Sequence, residues 1–203
     1  MSRQRRPVLG SEVIPINMTL PKVFCVGFHK TGTTSLSLAL RSIGYRVAGA
    51  MGVGDPEIAT NALSMALALV KDYDAFRDNP WPILYKEIDR AWPGSRFIIT
   101  VRPVDQWMRS VMQHFRGTST PMRVWIYGHG DPEHHEAEYM SRYIAHNVEV
   151  VKYFRHRPGD HLVMNITEGD GWEKLGPFLG LSPRLTSFPC ANRAPRSMAG
   201  LGA

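Results

Sequence analysis

Apolar positions fall along the chain in two alternating patterns. Lys22-Val-Phe-Cys-Val26, Arg96-Phe-Ile-Ile-Thr-Val101 and His161-Leu-Val-Met164 are short continuous runs. That is the pattern of strands covered on both faces. Tyr45–Val47 and Asp74–Arg77 are weaker strand candidates. Between these runs the apolar residues recur at helical spacing. Leu36, Leu40 and Ile43 define a helix over Thr33–Ile43, which Gly44 stops. Further helices are predicted over Ile58–Val70, Pro82–Trp92, Val104–Phe115, Glu133–Arg155 and Trp172–Leu179. Residues 117–131, rich in Gly, Thr and Pro, read as a loop long enough to serve as a lid. Strands alternating with helices predict an α/β fold, a parallel sheet flanked by helices. Ligands of such sheets bind beyond the carboxyl ends of the strands. Chemistry is therefore expected just after Val26, Arg77 and Val101.

The pattern also sets the domain limits. Residues 1–21 are polar and read as a leader, 22–193 as one α/β domain and 194–203 as a tail. At 203 residues the chain can bury a core without staples. No run nears the roughly 20 apolar residues of a membrane span, and no signal-peptide core follows the basic N-terminus. The expectation is a soluble, cytoplasmic protein with no membrane partner. The net charge of +6 favours an anionic partner. The basic residues are scattered and not interleaved with aromatics, so a small phosphorylated ligand is expected and nucleic acid is not. Of the two cysteines, Cys25 lies inside a strand pattern and reads as a buried hydrophobe. Composition does not fix the oligomeric state.

The segment after the first strand changes the picture most. Gly27-Phe-His-Lys-Thr-Gly-Thr-Thr-Ser35 has the glycine spacing of a Walker A loop, but Thr33 stands where that loop has its lysine, and the lysine has moved back to Lys30. Amides of Gly32, Thr33 and Thr34 would open a helix and face an anion. Thr33, Thr34 and Ser35 add hydroxyls, and Lys30 adds a point charge. A plain strand–turn–helix capped by Thr33 is the alternative. A P-loop NTPase needs an acid at the end of a neighbouring strand to hold magnesium. The clearest strand, Phe97–Val101, ends in Arg102, which argues against a kinase or ATPase.

These residues resemble the sulfotransferase superfamily. His29-Lys-Thr-Gly-Thr-Thr34 is similar to its 5′-phosphosulfate signature. Phe97 through Arg102 to Ser110 is similar to its 3′-phosphate signature. The span from Lys22 to Arg193 further resembles a compact soluble group of that superfamily in Leu84–Asp89, Asn165–Trp172 and Phe188–Arg193. The resemblance implies a P-loop NTPase-like fold and sulfuryl transfer from 3′-phosphoadenosine 5′-phosphosulfate (PAPS) to a hydroxyl or amine of a small acceptor. It implies 3′-phosphoadenosine 5′-phosphate (PAP) as product and no metal. The nucleotide would be held by His29, Lys30, Thr31, Gly32, Thr33, Thr34, Ser35, Arg102 and Ser110. Lys30 would also stabilise the leaving phosphate.

The family's histidine base is missing. Phe76-Arg-Asp-Asn-Pro80 occupies its segment and puts Asp78 at the base position. Asp78 is equally a turn residue ahead of a helix. Glu87 is the second candidate base, followed by His114 and His29. Trp125 and Tyr127 could line an acceptor pocket. His129, His134 and His135 invite a metal reading, but adjacent histidines point to different faces of a helix, so an exposed cluster without metal is expected. A P-loop NTPase or kinase with a displaced lysine, and a non-catalytic nucleotide-binding protein, are the competing readings.

Overall fold

The computed structural model describes residues 20–182 and 186–191. Nearly all of the leader, the tail and the end of the Phe188–Arg193 block lie outside the described residues. Five parallel strands form one sheet: β1 (Val23–Cys25), β2 (Val47–Ala48), β3 (Ala75–Phe76), β4 (Arg96–Thr100) and β5 (His161–Met164), in the order β2-β3-β1-β4-β5. Among the described residues seven α-helices connect and flank them: α1 (Thr33–Ser42), α2 (Ile58–Leu69), α3 (Tyr85–Ala91), α4 (Val104–Phe115), α5 (Pro121–Tyr127), α6 (Glu136–Phe154) and α7 (Trp172–Phe178).

The continuous apolar runs are explained by which face each residue serves. Along β1, Val23 and Cys25 pack with Leu36, Ala39 and Leu40 of α1 and Leu175 of α7. Phe24 and Val26 point the other way, into a larger cluster with Ile88, Trp107, Tyr143 and Phe154. A strand with period-two side chains needs apolar residues at every position when both faces are covered. The helix after β1 thus lies on one face and the helix after β4 on the other. The crevice between β1 and β4 is the topological switch point, where α/β sheets bind ligands.

Three predicted elements differ. The loop predicted over 117–131 contains α5. Thr120 caps it by accepting a hydrogen bond from the Arg123 amide, Pro121 opens it, and Gly128 closes it at φ 81°. The predicted Pro82–Trp92 helix starts at Tyr85, because Pro80–Leu84 folds as successive tight turns. The predicted Glu133–Arg155 helix starts at Glu136, because His134 sits at φ 66° and breaks the helical path.

Candidate active site

The loop after β1 is pinned from below. A Cβ at Gly27 would lie 2.3 Å from the Thr100 carbonyl oxygen, so only glycine lets the chain pass this close to β4. The Thr31 hydroxyl donates to the Phe28 carbonyl at 2.5 Å and shares a hydrogen bond with the Thr100 hydroxyl at 2.6 Å. His29 is turned inward as well. Its Nδ1 lies 3.2 Å from the Asn79 amide nitrogen and its Nε2 3.4 Å from the Tyr127 hydroxyl. Burial, with the nearby charges of Arg123, Lys30 and His114, pushes its pKa down to about 3, so the ring is neutral. The Trp107 indole donates to the His29 carbonyl at 2.9 Å. The side chains of His29 and Thr31 therefore point inward and brace the loop.

What the loop offers outward is different. Lys30 and Gly32 lie in the left-handed region, at φ 66° and 97°, on either side of Thr31. Such a left-handed turn aims successive amides into one concavity. The first N–H groups of the ten-residue α1 have no acceptor inside the helix and open onto the same place. The Thr34 hydroxyl is exposed there. The Ser35 hydroxyl instead accepts the Ala191 amide at 3.0 Å.

Arg102 closes the crevice from β4. Its backbone is clamped by Tyr143, whose hydroxyl accepts from the Arg102 amide and donates to its carbonyl, both at 2.8 Å. Its guanidinium reaches back to the Lys30 carbonyl at 3.4 Å, and its buried Nε has no hydrogen-bond partner among the described residues. Asp105, the carboxylate that could have neutralised it, is paired with Arg109 at 2.9 Å. Burial and then the Arg102 charge push the Lys30 ammonium below its ordinary pKa, with Asp78 opposing. Two cations held together in this way favour an anion between them. Ser110 lies on α4 between Trp107 and His114, at helical spacing. Trp107 bonds the loop, and the charge of Lys30, after burial, helps hold the His114 pKa down. The intervening serine is thus turned to the same side.

A carboxylate, Asp78, also stands at the crevice. β1 has two neighbours, and β3, not only β4, delivers its carboxyl end to the loop. Asp78 follows β3 at φ 63°, accepts a hydrogen bond from the Thr33 hydroxyl at 2.7 Å, and pairs with Arg77. An acid therefore does flank the loop, after β3 rather than after β4, where the chain has Arg102. Arg77 and the Thr33–Asp78 contact were missed, although a charged pair directly after a strand was visible in the sequence. Tyr143 left no such signal.

Other candidates fall away from the loop. Glu87 makes its ion pair with Arg90, at 3.9 Å, and no hydrogen bond to the loop or to Asp78. Tyr127 is buried, stacked on Tyr139 at 4.0 Å, and serves the core rather than a pocket. Trp125 is half-buried and packs against the same core. The histidines regroup: His129 and His135 stack face to face at 3.5 Å, while His134 stands exposed and apart.

A family model described as a sulfotransferase domain matches residues 22–132 and 122–197. No curated protein matches the chain with significant similarity. Because that model runs from β1 to beyond α7, the chain belongs to the sulfotransferase-domain family.

Proposed function

We propose that the protein transfers a sulfuryl group from PAPS to a hydroxyl or amine of a small acceptor. The observation that carries this reading is the meeting of Lys30 and Arg102 at the rim of a glycine-shaped loop. The residues fit the nucleotide. The loop and α1 offer amides to the 5′-phosphosulfate, while Arg102 and Ser110 offer a guanidinium and a hydroxyl to the 3′-phosphate. The unpartnered Arg102 Nε suits the same anion. PAPS when bound supplies a sulfuryl group on a phosphate leaving group. Lys30 and the loop amides then stabilise the negative charge that grows on that phosphate. Asp78, oriented by Thr33 and Arg77, accepts the proton of the acceptor. The acceptor is a small molecule; neither nucleic acid nor membrane enters the reaction. No described helix is long and apolar enough to cross a membrane, and Cys25 and Cys190 are free thiols. Both features suit a cytoplasmic enzyme.

One observation favours a second reading. A carboxylate at the end of a strand beside the loop, bonded to a hydroxyl of the first helical turn, is where a kinase holds magnesium. Against it, Arg77 already neutralises Asp78. Thermal denaturation separates the two. PAP without magnesium should stabilise the protein by about 2.7 kcal/mol at 100-fold saturation, and labelled PAPS should yield a sulfated product with an accepted acceptor. A shift produced only by ATP with magnesium would overturn the proposal in favour of a kinase.

A further inference from the structure

Outside the crevice, side chains with metal-binding chemistry converge at one place. The ligand atoms of His129, His135 and Glu138 all lie within 4.8 Å of one another. His129 follows the end of α5, His135 caps α6, and Glu138 is in the first turn of α6. His135 and Glu138 are three residues apart and share a helix face. The two imidazoles are half-buried, and among the described residues no group hydrogen-bonds to their ring nitrogens. The adjacent His134 is excluded. Its φ of 66° turns the chain between it and His135 and leaves it exposed.

The backbone that carries these ligands is held on both sides. Tyr139 donates its hydroxyl to the carbonyls of His129 and Gly130, at 2.8 and 3.3 Å. The buried Arg123 donates to the Gly130 carbonyl at 2.6 Å. The Asp131 carboxylate accepts the Glu133 amide at 2.9 Å, and the His135 amide bonds the Pro132 carbonyl at 3.0 Å. A site supported in this way needs only side-chain rotation to close. The positive end of α6 opposes a cation. Asp131, Glu133, Glu136 and Glu138 around the turn oppose that effect, with Arg116 offsetting Glu133.

We propose that His129, His135 and Glu138 form a binding site for a borderline divalent cation of the zinc class. Two imidazoles and one carboxylate are the donor set such ions take, with nitrogen about 2.0–2.1 Å and oxygen about 2.0–2.2 Å from the metal. Binding replaces the stacked ring pair by a splayed one, so that both in-plane lone pairs meet at the ion. The ion would join the end of α5 to the start of α6. Three protein ligands leave a fourth position for water. The site does not depend on the sulfotransfer reading.

The test uses the full chain, stripped with chelator, and titrated with zinc chloride against a chromophoric competitor. One equivalent should bind. His129→Gln and His135→Gln should each weaken binding at least tenfold, Glu138→Gln should weaken it too, and His134→Gln should leave it unchanged. Zinc added to the unmodified protein gives a second measurement free of any folding defect in a variant. The ring-nitrogen NMR signals of two of the eight histidines should show the shift of direct zinc ligation, and the other six should not. The proposal is overturned if no stoichiometric zinc binds, if His134→Gln is as damaging as His135→Gln, or if the ring signals of other histidines show direct zinc ligation.

Discussion

Lys30 and Arg102 carry the same charge to the same crevice but meet different ends of the proposed ligand. Lys30 faces the bond that breaks, so Lys30→Ala should lower kcat more than PAP affinity. Arg102 faces a phosphate that does not react, so Arg102→Ala should mainly weaken PAP binding. Calorimetry with PAP and turnover with PAPS, measured on both variants, check the split; the reverse pattern would refute the assignment. Asp78 poses a separate question. Asp78→Asn keeps the shape and an acceptor for the Thr33 hydroxyl but removes the basicity. Turnover should fall by about 10²–10⁴-fold with PAP affinity nearly intact. Glu87→Gln should change little, since Glu87 is engaged with Arg90. If the glutamine variant loses activity and the asparagine variant does not, the base has been misassigned.

At the scale of elements, α5 is the informative one. It is only seven residues long, and its stability rests on its cap and its packing rather than on propensity. Met122, Ile126 and Tyr127 bury one face, and Tyr127 reaches His29 under the loop after β1. Thr120→Ala removes the cap and should cost about 1 kcal/mol in urea denaturation. The loss should be partly recovered by Thr120→Ser, which keeps the hydroxyl. Equal destabilisation by both substitutions would show that the hydroxyl does not act as a cap. The Thr120-Pro121 start and the Gly128 stop were present in the sequence. They were outweighed by a composition of Gly, Thr and Pro, because punctuation of a short helix resembles that of a loop.

Across the whole molecule two buried imidazoles set the response to acid. His29 is pushed down to about 3 and His146 to about 4, each chiefly by burial. His146 donates its Nε2 hydrogen to the Val26 carbonyl at 2.7 Å, just before the loop. An unfolded chain protonates both near pH 6.5 while the native state does not, so acid favours unfolding. Stability present above pH 6.5 should be lost as pH falls from there toward about 4 for His146 and about 3 for His29. By pH 5 the loss should reach about 2 kcal/mol per histidine. Urea melts from pH 7 to pH 5 measure it. His146→Gln, which keeps a donor for Val26, should make the slope shallower by about one proton; an unchanged slope would mean that His146 titrates alike in the folded and unfolded chain.

The sequence by itself determined the α/β class and the strand–loop–helix order, and it pointed to the basic residues Lys30 and Arg102 at the crevice. These depend on local pattern: period-two and helical spacing, two glycines at a fixed distance, and a basic residue at a strand end. It could also point to Asp78, but not decide whether that residue turned or faced the ligand. Only the tertiary structure settled the strand order β2-β3-β1-β4-β5, which places β3 beside β1 and thereby sets Asp78 against Thr33. Likewise the sequence exposed His29 and Thr31 as motif residues, while their inward direction came from contacts with Asn79, Tyr127 and Thr100. The same holds for His129 and His135, six positions apart, which meet only because the chain turns at His134. The physical reason is common to all three cases. Spacing along a chain fixes which residues one element can present, but the partner of each side chain is fixed by which other element packs against it.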